Sequence, residues 1–190
     1  MVPRETIYNM SKETLIGHLR NIPDYPMEGV QFKDVTSWFM SPDDLREIVD
    51  SLYEMYKDKG ITKVCGIESR GFIVASALAY KLNAGFIPVR KPGKLPYEKI
   101  SLEYKKEYGY DRLEMHKDSI GEEDVVLIHD DLLATGGTLL ASCKLVQSFK
   151  PKKIYVNCII ELTNFHAKDN FPKECPVDSF IEIDEFDGVN

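Results

Sequence analysis

Three short runs in this 190-residue chain are apolar at nearly every position instead of every second one: residues 62–67 (TKVCGI), 125–129 (VVLIH) and 153–160 (KIYVNCII). A strand with one wet face alternates apolar and polar side chains. A strand without alternation needs cover on both faces, the condition of a parallel sheet between layers of helix. Helix signals fall between the runs. Ser41-Pro42-Asp43-Asp44 supplies a hydroxyl N-cap, a proline at the first helical position and acids in the first turn. Leu45, Ile48, Val49, Leu52, Tyr53 and Tyr56 then repeat at helical spacing, with Gly60 suited to end the helix. Residues 71–82 and about 138–149 read as two more helices, and 85–89 and 177–183 as two more strands. The alternation predicts one α/β domain over residues 1–190, with a parallel sheet flanked by helices.

Two stretches stand outside the alternation: about residues 1–40, expected to cover a site, and residues 95–121, of which about 95–112 are expected to form a mobile loop. In open parallel sheets, ligands sit beyond the carboxyl ends of the strands. The polar punctuation falls there: Glu68-Ser69-Arg70-Gly71, Arg90-Lys91-Pro92-Gly93, and residues 130–138.

Composition narrows the function classes. A net charge of −7 argues against general nucleic-acid binding. No apolar run is long enough to span a membrane, and the first residues lack a signal-type apolar core, so the expected compartment is the cytoplasm. The four cysteines, Cys65, Cys143, Cys158 and Cys175, lack C-x-x-C spacing and read as reduced thiols, with Cys65 and Cys158 buried. Charge is uneven: residues 90–106 hold six basic and two acidic residues, +4 on a chain whose remainder is −11. Such a segment suits a small anion, although a charge run alone reads first as a solvated loop, and Lys99 and Lys105 are taken that way.

The stretch VVLIHDDLLATGGT carries the sharpest chemistry. Ala134, Thr135, Gly136, Gly137 and Thr138 lead into a helix N-terminus, whose backbone N–H groups lack intrahelical partners and face the positive end of the dipole. This is a phosphate cradle. It is not the nucleotide-hydrolase loop, because no G-K-[ST] is present, nor the dinucleotide fingerprint, because G-x-G-x-x-G is absent. Asp130 and Asp131 would repel a phosphate unless they face hydroxyls or hydrated magnesium, so a sugar phosphate fits both halves. His129 precedes the acids and reads as a partly buried histidine without catalytic duty.

The same stretch resembles the phosphoribosyl pyrophosphate signature of type I phosphoribosyltransferases. RKPGKLP from Arg90, IESRGFIVASALAYKL from Ile67, IPDYPMEGVQFKDVT from Ile22 and EYGYDRLEMHKDSI from Glu107 are similar to segments of the adenine phosphoribosyltransferases within that family. The resemblance implies a type I phosphoribosyltransferase fold with an N-terminal hood. It implies phosphoribosyl transfer from phosphoribosyl pyrophosphate to N9 of adenine, with Mg2+, giving AMP and pyrophosphate in purine salvage, and a homodimer. It further implies roles. Glu107 is the catalytic carboxylate, with Glu103 a rival. Arg70, Arg90, Lys91 and Lys94 surround pyrophosphate. Asp130 and Asp131 hold the ribose and lie near a magnesium ion bound mostly through substrate and water. Val30, Gln31, Phe32, Lys33 and Leu132 hold adenine, with Phe32 stacking. On its own residues Phe32 reads as an ordinary core aromatic. Tyr104 and Tyr108 either close over substrate or pack the loop. Lys106 stands where the family carries an apolar residue, and Lys33 where it often carries arginine. Two further readings stay open at this point: the same transfer to xanthine, guanine or hypoxanthine, and a regulatory protein that senses phosphoribosyl pyrophosphate without turnover.

Overall fold

The computed structural model describes residues 10–105, 109–184 and 186. In chain order its elements are α1 (Lys12–His18), β1 (Arg20–Pro23), β2 (Gln31–Asp34), α2 (Thr36–Met40), α3 (Pro42–Tyr56), β3 (Lys63–Ile67), α4 (Gly71–Lys81), β4 (Gly85–Val89), β5 (Lys99–Lys105), β6 (Tyr110–His116), β7 (Val125–Leu133), α5 (Gly137–Gln147), β8 (Lys153–Leu162) and β9 (Val177–Ile183). The central sheet runs β4-β3-β7-β8-β9, and every pairing in it is parallel.

The two faces of this sheet account for the unbroken apolar runs. Val64 and Leu127 join a core with Ile48, Leu52, Val74 and Leu78 of α3 and α4. Their neighbours Cys65, Val126 and Ile128 point into a second core with Leu139, Leu145 and Val146 of α5 and Leu113 and Met115 of β6. Each fully buried aliphatic side chain contributes about 1.5–3 kcal/mol, so both layers hold the strands in register. All four cysteines are buried and free, and burial pushes the thiols of Cys65 and Cys158 upward in pKa.

The capping expected for α3 is present: Ser41 Oγ accepts the Asp44 N–H at 3.3 Å, with Pro42 opening the helix. The helix stops at Tyr56, and a turn carries the chain to Gly60. Gly71 explains how α4 approaches the sheet so closely. A Cβ there would lie 3.0 Å from the His129 carbonyl oxygen and 3.3 Å from Asp130 Cα, so a methyl group would lift the helix from β7.

Three features depart from the sequence reading. β7 does not stop at His129 but continues through both aspartates to Leu133. The stretch outside the alternation contains an antiparallel hairpin, β5–β6, packed on α5. The N-terminal cover is built from α1, a second antiparallel hairpin β1–β2, and α2. Trp38 of α2 is fully buried and donates to the Leu15 carbonyl at 2.7 Å, which ties the cover together.

Candidate active site at the carboxyl end of β7

β7 delivers its acids to the rim of the sheet, and the chain then turns through Ala134 and Thr135 into Gly136. Gly136 has φ +82°, a left-handed value that favours glycine. A Cβ would also meet Ala167 Cβ at 3.2 Å and the Phe171 ring at 3.3 Å. α5 starts at Gly137 with no acid in its first turn, so the positive end of the helix stays uncompensated. A pocket of about 210 Å³ opens here, lined by Arg70, Asp130, Asp131, Leu132, Ala134, Thr135, Gly136, Gly137 and Thr138. The expected cradle and acid pair therefore meet in one cavity.

The two acids differ. Asp131 is buried, and Arg70 Nε lies 2.6 Å from its Oδ2. That contact is ionic but not aligned as a hydrogen bond, and Oδ2 has no hydrogen-bond partner in the protein. Asp130 Oδ1 accepts the Asp131 N–H at 3.0 Å. Burial first, and then the Asp131 charge beside it, hold the Asp130 carboxyl well above the usual carboxylate range. Arg70 also sets its guanidinium carbon 5.4 Å from the centre of the Phe32 ring, so one cation links the hood to the acid pair. Its charge at the start of α4 is met by Asp131.

The hood residues Gln31, Phe32 and Lys33 lie on β2, with Val30 just before it. Phe32 is half-buried and packs edge-on against Tyr25 at 5.1 Å. The Gln31 side chain accepts from Asn21 Nδ2 at 2.8 Å. Val30 is half-buried and Lys33 buried. Leu132 is half-buried and lines the pocket at the end of β7.

The basic segment is laced to carboxylates that the sequence reading did not single out. Glu68 accepts from Arg90 Nε at 2.9 Å and from the Lys91 N–H at 2.7 Å. The Arg90 hydrogen bond holds the Glu68 carboxyl below its usual range. Lys91 Nζ pairs directly with Asp111, and Glu114 accepts the Gly93 N–H at 3.0 Å. Lys94 is exposed. Lys99 is exposed, but it opens the strand β5 instead of lying in a loop, and its Nζ is 3.4 Å from Glu114. Lys105 stays exposed, at the end of that strand. The sequence carried a signal for Glu68, which stands two residues before Arg70 at a strand end. It carried none for Asp111, which reaches Lys91 only because the hairpin folds back.

Tyr104 contacts the cradle: its Oη is 3.2 Å from Thr138 Oγ1 and 3.4 Å from Asp111 Oδ2. Glu103, on the opposite face of β5, is exposed and 3.2 Å from Arg112. Lys106, Glu107 and Tyr108 lie outside the described residues. His129 is fully buried, where partial burial was expected. Its Nδ1 is 2.7 Å from Asn157 Oδ1, and burial pushes its pKa down to about 4. Its Nε2 and Asn157 Nδ2 lack hydrogen-bond partners in the protein.

Comparison with known proteins adds relatives to this geometry. The phosphoribosyl transferase domain family matches residues 35–189. An adenine phosphoribosyltransferase of Bacteroides thetaiotaomicron is 58% identical over 174 residues, covering 92% of this chain and 99% of that protein. The crystal structure of an adenine phosphoribosyltransferase from Rhodothermus marinus superposes with a TM-score of 0.84 at 45% identity, covering 90% of this chain and 97% of that one. The Giardia lamblia APRTase, complexed with 9-deazaadenine, gives a TM-score of 0.86 at 37% identity, covering 92% and 98%.

Proposed function

The chain belongs to the phosphoribosyltransferase family, among its adenine phosphoribosyltransferases, and from that membership we infer its reaction and the residues that serve it. It transfers the 5-phosphoribosyl group of phosphoribosyl pyrophosphate to N9 of adenine, giving AMP and pyrophosphate, a reaction of purine salvage. The observation that carries the reading is the single pocket in which the β7 acid pair meets the amide turn before α5.

The roles follow from what each group can do. Residues Ala134 to Thr138 bind the 5′-phosphate through main-chain N–H groups and the Thr135 and Thr138 hydroxyls. Asp130 and Asp131 take the ribose diol. Arg70, Arg90, Lys91 and Lys94 offset the charge that develops on departing pyrophosphate. Glu107 accepts the N9 proton or opposes charge on the ribosyl cation. Phe32 and Leu132 sandwich adenine, with Val30 and Lys33 beside them. Main-chain groups at Gln31 read its edge, an N–H toward N1 and a C=O toward the 6-amino group. Hypoxanthine reverses donor and acceptor at those atoms and would leave buried groups unpaired.

Mg2+ is the cofactor of this reading. The adjacent carboxylates of Asp130 and Asp131, both lining the pocket, are hard oxygen donors that suit it. They are too few for an all-protein cage, so substrate oxygens and water would complete the shell. Bound there, the ion would offset charge on the leaving group. Residues 1–40 act as hood and base cover, and about 95–112 as the loop over the site. The enzyme works as a homodimer, a reading supported by the apolar side chains of Ile73, Tyr80 and Phe86 exposed on α4 and the edge strand β4. Four buried free thiols favour the cytoplasm, and no helix among the described residues is long and apolar enough to cross a membrane.

A competition assay with adenine, guanine, hypoxanthine and xanthine tests the function. Adenine is consumed with phosphoribosyl pyrophosphate; turnover of guanine with adenine inert would overturn the choice of base.

A further inference from the structure

Three of the four cations expected around pyrophosphate already face a carboxylate of the chain: Arg70 with Asp131, Arg90 with Glu68, and Lys91 with Asp111. Glu68 anchors main chain, because it also holds the Lys91 N–H. Asp111 does something else: it comes from β6 and meets Lys91 at its ammonium, while Glu68 fixes the Lys91 main chain. We propose that Asp111 is the resident counter-ion of the pyrophosphate subsite, a positioning residue that holds the Lys91 ammonium until the pyrophosphate group of the substrate takes it. The proposal rests on the reading of Lys91 given above.

The geometry allows the exchange without leaving a bare charge. The Lys91 and Asp111 side chains are 34% and 21% exposed, so water reaches the pair and a stem rotation separates it. Asp111 Oδ1 keeps the Arg112 N–H at 2.8 Å, and Oδ2 keeps the Tyr104 hydroxyl at 3.4 Å. A pyrophosphate group carries several negative charges against the one of Asp111 and wins the ammonium. Tyr104 extends the link, since the same hydroxyl lies 3.2 Å from Thr138 in the cradle. One hydrogen-bonded path thus joins Lys91, Asp111, Tyr104 and Thr138, and with them both anion subsites.

Calorimetric titration of the whole protein with magnesium pyrophosphate tests this. Asp111→Asn removes the competing charge, so pyrophosphate binds roughly two- to fivefold tighter, the factor that matches one partly exposed ion pair. The KM for phosphoribosyl pyrophosphate falls by a similar factor, with no rise in kcat. Asp111→Glu restores wild-type affinity, and Asp111→Asn has no effect in a Lys91→Met background. Asp111→Ser gives the same reading if asparagine disturbs the hairpin. A gain of affinity cannot arise from damage. Equal or weaker binding by the variants, beside normal wild-type binding, would overturn the role of Asp111 alone. A wild-type protein that binds no pyrophosphate would overturn the function from which it follows.

Discussion

The proposed cradle and the proposed pyrophosphate side would both receive anions, but they are made of different material. The cradle is main chain: a left-handed glycine and a helix start whose first N–H groups have no intrahelical partner. It is organised before any ligand arrives. The pyrophosphate side is made of long side chains already held by Glu68, Asp111 and Asp131. Its ion pairs must be exchanged when the ligand binds. A site that grips the part of the substrate kept through the reaction can be rigid. A site that grips the leaving group must also let go, and resident carboxylates provide a competitor.

The largest expected effect tests the carboxylate proposed for catalysis. Glu107→Ala should lower kcat by about 10²–10⁴-fold with little change in substrate KM; no measurable loss would remove the carboxylate from catalysis. Next comes the strand that leads into the cradle. His129 binds a proton only below about pH 4 in the folded chain, against 6.5 for the free side chain. Unfolded chains therefore bind more protons across that window, and stability falls as pH drops through 6.5 and levels off below about 4. Urea unfolding should show a contribution from this residue of about 2–3 kcal/mol lost between pH ~7.5 and pH ~4.5. His129→Gln, which cannot titrate, should lose that much less over the same range; an identical acid loss in the variant would place the sensitivity elsewhere.

Gly136→Ala tests the rigidity of the cradle directly. A left-handed alanine costs about 1–2 kcal/mol, and ribose 5-phosphate affinity should fall about tenfold. Unchanged affinity would mean that the turn yields, contrary to a preformed site. The smallest effect belongs to Lys99→Met, which breaks one peripheral pair with Glu114. Stability should fall by less than about 1 kcal/mol, with pyrophosphate affinity held within about twofold. A larger loss of affinity would enlist Lys99 among the leaving-group cations.

The same contrast governs what could be read from the sequence. The parallel sheet is legible because unbroken apolar runs allow few alternatives, and Ser41-Pro42 marks a helix start through chemistry local to those residues. The glycine turn before α5 is legible for the same reason: small residues between a strand and a helix have backbone consequences only. The β5–β6 hairpin was missed although Ile100, Leu102 and Tyr104 alternate with exposed Lys99, Ser101, Glu103 and Lys105. Its high charge masked a period of two. The carboxylate partners of Arg90 and Lys91 depend on chain folding over some twenty residues, 22 for Arg90–Glu68 and 20 for Lys91–Asp111, and no local pattern reports them. β7 continued past His129 because parallel pairing with β8 carries the two acids as far as Leu133.

A crystal structure with ribose 5-phosphate bound bears most directly on the whole account. The phosphate should accept hydrogen bonds from the N–H groups around Gly136 and Gly137, with the ring hydroxyls against Asp130 and Asp131. A phosphate lodged among Arg90, Lys91 and Lys94, with the glycine turn in contact with solvent only, would contradict it.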